Sequence, residues 1–456
     1  MVSPSTLERP RSAEPRKPPI RWWTVLAIVI ILALLFTNAL AWYLLAVERT
    51  STSTTAPEAT DTTVVADVSA PPAPVAAVEL PPIISPGDLG VYGTHQFRGG
   101  NSLSGETDGG FRTLEGVYWD PVRPGGFFGA DPIAYGRFLY VVSATHDSVY
   151  GIDQTSGLIK FMMRTNGRMQ TAPAVGQFEY SLGPEGSETR VRLVAVSENG
   201  TVYARNATGG GNSEMWQRDL NEDVLAAPLI EDNKIIVATE AGTIIALGLD
   251  NEEVWRYPVP NTYTAAFRHT PAISAGIIYA VDENDRLHMV DLDTGNASCA
   301  MPISLRHSAS SHPVVAGDQL LIPTDGSILV LPTAQCGALP QIIAVQVDST
   351  ISPAVSGSTI FTVENSFLLA WNLETRTLDV WDGPFQAESP ITTAPAVAGG
   401  VIYFGTQQGV VHAVDAGRGE SLWTFEVGEP IFGGPVVTAN AIFVTTTQEI
   451  ISIAGR

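Results

Sequence analysis

Hydrophobic and polar positions divide the chain into three unlike stretches. From Trp22 to Val47 no residue is charged, and the run TVLAIVIILALLFTNALAWYLLAV is long enough to cross a bilayer as one helix. Residues 48–90 are mostly Thr, Ser, Ala and Pro without an apolar period, which predicts an extended stalk rather than a core. After residue 90 one pattern recurs. A proline leads small or β-branched residues, then come an apolar strand, a polar turn, a second apolar strand, and a further turn before a strand carrying an aromatic residue. Short apolar runs bounded by Gly, Pro, Asn and Asp read as strands.

The recurrence has a measurable period. The leading prolines are Pro132, Pro173, Pro228, Pro271, Pro313, Pro353, Pro395 and Pro435, at spacings of 41, 55, 43, 42, 40, 42 and 40 residues. Four short strands repeating at about 43 residues are what a β-propeller blade requires. The long spacing predicts an inserted loop near Gln177–Arg190 in the second unit. The last unit stops after three strands, which would leave an open edge. Trp119, Trp216, Trp255, Trp381 and Trp423 each lie 12 to 16 residues before a leading proline, although no complete unit precedes Trp119. The segment Arg112–Pro121 is therefore expected to supply the missing strand. The predicted fold is all-β: an eight-bladed β-propeller over 91–456, closed by an N-terminal strand.

Composition sharpens the placement. The chain has 25 Lys and Arg against 47 Asp and Glu, a formal charge of −22, which argues against nucleic acid as a partner. Residues 1–23 run the other way, with five basic and two acidic side chains, leaving −25 for the rest. Basic residues before the apolar run, and aromatic Trp22, Trp23, Trp42 and Tyr43 at its ends, predict a single-pass signal anchor. The expected organisation is a cytoplasmic tail (1–21), a transmembrane helix (22–47), a flexible extracytoplasmic linker (48–90) and an extracytoplasmic propeller. A cleaved signal peptide with Ala39-Leu40-Ala41 at its small-residue site is the competing reading; the apolar run's continuation to Val47 favours the retained anchor.

The unit P-A-V-x-x-G-x-[IV]-Y-[FV]-G-T-x-x-G-x-[VL]-x-A-[VL]-D-x-x-x-G-x-x-x-W, matched nearly throughout by Pro395–Trp423, resembles the PQQ-like (quinoprotein-type) repeat of β-propellers. The segment His95-Gln96-Phe97-Arg98-Gly99-Gly100-Asn101, with Gly105 beyond it, is similar to the leader that often precedes the first blade in that family, although the usual Trp is absent. The resemblance covers about residues 91–456, and its non-catalytic branch includes the assembly lipoprotein of the outer-membrane β-barrel machinery. The family also includes quinone-dependent dehydrogenases and sensor domains, so fold alone transmits no activity.

Quinone enzymes of this class typically use adjacent cysteines beside a Trp, and a Ca²⁺ beside a catalytic Asp. This chain has only Cys299 and Cys336, and it lacks H-E-x-x-H, G-x-S-x-G and Walker-type motifs. No catalytic residue, cofactor or metal is expected. An even cysteine count in an extracytoplasmic domain favours a Cys299–Cys336 bridge over two free thiols. The repeat tryptophans and the Asp-x-x-x-Gly turns read as structural. In the turns and links expected on one rim, acidic residues dominate except in three links, one with Arg164 and Arg168 and two neighbouring ones with Arg268, His269, Arg306, His307 and His312; these last five are the candidate contact for an anionic group or acidic partner segment. The leading expectation is a non-catalytic interaction or ligand-binding platform for an envelope protein or surface ligand. A quinoprotein oxidoreductase and a ligand sensor with a separate cytoplasmic partner are the alternatives.

Overall fold

The computed structural model describes Arg98 and residues 103–456 apart from 108, 127, 183–185, 209–215, 259–264, 345–350, 379 and 440. The expected tail, helix and linker lie outside the described residues, as does most of the leader motif. Among the described residues the strands assemble into eight sheets, seven of four strands and one of five. Each is one blade, and each begins just after a leading proline except the last, whose first strand Ile431–Val437 includes Pro435. Successive strands within a blade pair antiparallel with their neighbours. Inner strands such as Val401–Gly405 are buried at every position because blades pack against both of their faces, whereas outer strands such as Trp216–Asp219 alternate in exposure.

Ring closure follows the predicted route. Strand Leu114–Val117 pairs antiparallel with Ile450–Gly455, and a further bridge joins Val122 to Ile450. The two ends of the domain thus share one sheet, and the edge that would have stayed open is covered. The predicted loop in blade two is instead a longer hairpin. Ala174–Ser181 and Ser187–Val196 stay paired out to Ser181↔Ser187. Alternating large side chains hold it: Phe178 is buried, and the Arg190 guanidinium lies 4.5 Å from the Tyr180 ring centre.

The apolar core lies between blades. One cluster joins Ile133 and Tyr140 of blade one to Val175 and Leu193 of blade two; another joins Val401 and Tyr403 of blade seven to Ile442 and Ile453 of blade eight. At the circumference most repeat tryptophans act as clasps. Trp119, Trp216, Trp255 and Trp381 donate from Nε1 to the carbonyls of Gln154, Leu249, Leu292 and Ala416 in the following blade, at 2.9, 2.8, 3.0 and 3.0 Å. Three of the accepting turns end in Gly157, Gly295 and Gly419, with φ of +67°, +70° and +70°. A Cβ there would come within 2.8, 2.6 and 2.6 Å of the indole. The Asp-x-x-x-Gly turn therefore needs its glycine twice, for the left-handed backbone and for the ring lying on it.

Among the described residues four of the eight junctions lack this clasp, and two of them show what stands in its place. Trp423 of blade seven stacks on Phe111 at 5.6 Å, and its buried Nε1 has no hydrogen-bond partner. Blade eight takes its fourth strand from the start of the domain, so it has no turn to offer a carbonyl. Between blades four and five, Cys299 stands at the tryptophan register and is bonded to Cys336, S–S 2.08 Å.

Candidate functional site

A propeller offers an axis, two faces and a circumference, and the axis is occupied by the chain itself. Strand Glu106–Thr107 adds in parallel to Ala396–Ala398, the innermost strand of blade seven, making its sheet five-stranded. Just before it, the Ser104 carbonyl accepts from the Val355 N–H at 2.8 Å and the Gly105 carbonyl from the Val397 N–H at 2.8 Å, so the leader bridges blades six and seven. Leu103 is fully buried in the cluster of blades three to five. Arg98 donates from Nη2 to the Pro353 carbonyl at 2.6 Å. The Gly105 N–H donates to the Arg98 carbonyl, and a Cβ on Gly105 would meet the guanidinium at 2.7 Å. The Arg and the distal Gly of the leader motif are therefore one packing unit.

Beside Arg98 lies a cavity of about 30 Å³ lined by Asp131, Thr107, Pro395 and Gly434 among others. Asp131 accepts from the Gly434 N–H at 2.6 Å. Burial raises the Asp131 carboxyl above its usual range, only partly offset by that bond and by Arg98, and burial lowers Arg98 to about 10. The Arg98 Nη1 is buried without a hydrogen-bond partner. The space suits one or two water molecules rather than an organic ligand.

The rim turns account for much of the acidity read from the sequence. Glu222, Glu388 and Glu429, in the links entering blades three, seven and eight, accept from the hydroxyls of Thr239, Thr406 and Thr446 at 2.7, 3.0 and 3.1 Å. Each Thr ends or follows the second strand of its blade and lies eleven residues after the leading proline. These glutamates cap strand ends, so part of the rim's acidity has a structural task. The recurring Thr was the signal that spacing analysis missed.

The five cationic candidates separate in the structure. Arg268 is exposed but ion-paired, with Glu240 at 3.2 Å and Glu283 at 2.6 Å. His269 and His312 do not stand out on the rim: both are partly buried, their ring centres 5.7 Å apart, and His312 Nδ1 accepts from the Thr270 N–H at 2.8 Å. Burial lowers both, and the nearby positive charges lower His312 further. Arg306, at φ +62°, and His307 are exposed and make no ion pair among the described residues. The pattern Arg-His in both links hid this division, because a link crosses from circumference to axis and exposes only part of its length.

Buried histidines elsewhere form relays that the sequence reading passed over. His288 Nε2 lies 2.9 Å from Asp282, which also pairs with Arg286, and Tyr257 is 3.2 Å from the other ring nitrogen. His412 Nε2 lies 2.8 Å from Glu388. Both histidines occupy the third position of a third strand, RLHMVD and VVHAVD. Burial pushes the Asp282 carboxyl up, but His288 and Arg286 outweigh it and hold it below the usual range. The His288 and Asp282 side chains are fully buried, so no substrate reaches this triad-like set, and it acts as a polar core. Among the described residues no group of three or more His, Cys, Asp or Glu is placed to hold a metal.

Comparison with known proteins follows the same lines. The family model described as outer membrane protein assembly factor BamB matches residues 165–381 and 378–454. The protein of that description from Legionella pneumophila is 24% identical over 184 residues, 40% of this chain and 46% of the relative. The one from Shewanella oneidensis is 22% identical over 269 residues, 56% of this chain and 66% of the relative. The matched region thus spans about half to two thirds of these relatives. Among solved structures, BamB from Moraxella catarrhalis superposes with a TM-score of 0.55 at 17% identity, covering 74% of this chain and 96% of that one. Quinohemoprotein alcohol dehydrogenase from Comamonas testosteroni gives 0.61 at 11%, covering 80% and 81%. At such identities the structural likeness speaks for the fold alone.

Proposed function

The chain belongs to the outer membrane protein assembly factor BamB family, and from that premise we propose that its propeller is a non-catalytic protein-interaction platform of the cell envelope. In this reading the platform stands outside the cytoplasm, carried by the helix of residues 22–47 and the linker of 48–90, and its partner is another envelope protein. The observation that carries the reading is the filled axis. Arg98 and Leu103–Thr107 occupy the place where a propeller would bind a small molecule, leaving faces and circumference as the surfaces on offer. The buried His288–Asp282 pair supports it, because it is closed to substrate. The chain's two cysteines are bonded to each other across neighbouring blades and form no adjacent pair.

Within the platform, Arg306 and His307 are the part of the cationic candidate cluster left available to an acidic partner segment. The test is crosslinking and affinity purification of the full chain from membranes. The expected outcome is a reproducible envelope partner whose yield falls when Arg306→Glu and His307→Glu are combined. Turnover of an alcohol or sugar after reconstitution with quinone and Ca²⁺ would overturn the reading. Protease treatment of spheroplasts, with the outer layer opened and the inner membrane intact, that leaves the propeller untouched would overturn its placement.

A further inference from the structure

Every blade ends in an outer strand with one free edge, yet these edges are unlike. Those of blades four and six are two residues long, Ile303–Ser304 and Phe385–Gln386. Blade three's Glu253–Pro258 carries Arg256, which is ion-paired to Glu253 and Glu222. Arg218 of blade two's Trp216–Asp219 is ion-paired to Glu253. Blade one's outer strand is as long as those of blades three and seven, and it differs in carrying cations that make no ion pair among the described residues. This strand, Ile159–Arg164, is six residues long and closes the sheet without a further neighbour among the described residues.

The chemistry of that strand is unusual for this molecule. Ile159 is 43% exposed and Met162 40%, and the preceding Leu158 is 57% exposed. Between and beside them stand Lys160 and Arg164, both exposed, neither making an ion pair among the described residues. The strand itself carries no acidic residue, in a chain with 47 acidic and 25 basic side chains. The apolar surface continues onto blade eight. Trp119 lies on Gly157 of this blade, which brings Leu158 beside the closing strand, where Val117 is 48% exposed.

We propose that the free edge of Ile159–Arg164 is a docking edge for an extended acidic segment of a partner protein, added to blade one as a fifth strand. Unpaired backbone groups supply affinity in such additions, and alternate side chains supply specificity. Here Leu158, Ile159, Met162 and Val117 offer the apolar contacts, and Lys160 and Arg164 select a segment with carboxylates at the facing positions. A second copy of this chain is a poor occupant. Antiparallel pairing of the edge with itself would bring Lys160 and Arg164 against their own counterparts, and like charges across a strand pair repel. The proposal rests on the platform reading and names one of its surfaces.

The test uses the full chain in detergent and a fluorescent, blocked ten-residue peptide of alternating Val and Glu. A Val/Lys peptide of the same length is the control. The Val/Glu peptide should bind and slow amide exchange across residues 159–164, and the Val/Lys peptide should not bind. Lys160→Glu combined with Arg164→Glu should weaken binding about tenfold, or about 1.4 kcal/mol shared between two exposed charge contacts. No binding, binding that leaves 159–164 unprotected, or equal binding by the double variant would overturn the proposal. So would protection of that strand by self-association, which would mark the edge as a contact between copies; absence of binding also covers the case in which Lys160 only guards a bare edge. Because the peptide is supplied directly, a negative result here leaves the platform itself standing, and failure to recover an envelope partner leaves this edge testable.

Discussion

Junctions three–four and four–five solve one problem by different chemistry. At the first, Trp255 lies against Gly295 and donates to the Leu292 carbonyl, while Tyr257, His288 and Asp282 form a polar core closer to the axis. At the second, Cys299 takes the register of the tryptophan and the bond to Cys336 spans the same gap, while His312 and Thr270 meet at the axial end. A clasp made by packing needs a large ring, a glycine and a carbonyl, all correctly placed. A covalent clasp needs only two sulfur atoms, so it tolerates the irregular outer edge of blade four, where the third strand is met by the two-residue strand Ile303–Ser304 and by an isolated bridge from Ala297 to Val290. At these two junctions the task is the same and the residues that perform it differ.

Three experiments would break or sharpen this contrast. The largest effect is expected from Trp255→Ala, which leaves a cavity and an unpaired carbonyl and should cost about 3–5 kcal/mol, read as a fall in the denaturant midpoint. The loss should be the same with and without reductant. Next, a dithiol reductant, or Cys299→Ala with Cys336→Ala, should remove about 2–4 kcal/mol from the oxidised protein. The reductant should do nothing further to the double variant; a wild type indifferent to reduction would mean that packing alone holds junction four–five. The smallest effect concerns acid. The folded-state pKa values of His269 and His312 are depressed, so their contribution is present above the unfolded value near 6.5 and is lost as pH falls below it. Between pH 7 and 5 the melting temperature should fall, and His312→Gln should flatten that fall. The slope includes His412, depressed by burial on blade seven, so His412→Gln is the control that separates the two regions.

The ring was readable because its determinants are periodic. Prolines at the start of each blade, the Asp-x-x-x-Gly turn and the outer aromatic recur at fixed spacing, and Trp119 appearing without a blade of its own pointed to the closing strand. What escaped was whatever depends on how two repeats meet. The turn that receives a tryptophan belongs to the next blade, and Glu222, Glu388 and Glu429 read as surface charge because their threonine partners lie 17 or 18 residues away. The cationic cluster failed as a single exposed group for a related reason: Arg268 is satisfied by acids of two blades. Length alone marked the insertion in blade two, and only the pairing of Phe178 with Arg190 distinguishes a hairpin from a loop.

The closing strand has a further consequence, for the order of events during folding. The Ser452 hydroxyl bonds the Trp119 carbonyl across 333 residues of sequence. Contacts so remote in sequence form last, and chains rich in them fold slowly. Until strand Ile450–Gly455 has emerged, Leu114–Val117 has no partner, and blade one faces solvent on the side that blade eight will cover. The nascent domain is therefore an open stack of blades with apolar surface at both ends, prone to pairing with other chains. Completion of the last strand converts that stack into a ring in a single late step, so removing even the final few residues should leave a protein that has most of its blades and still fails to stay soluble.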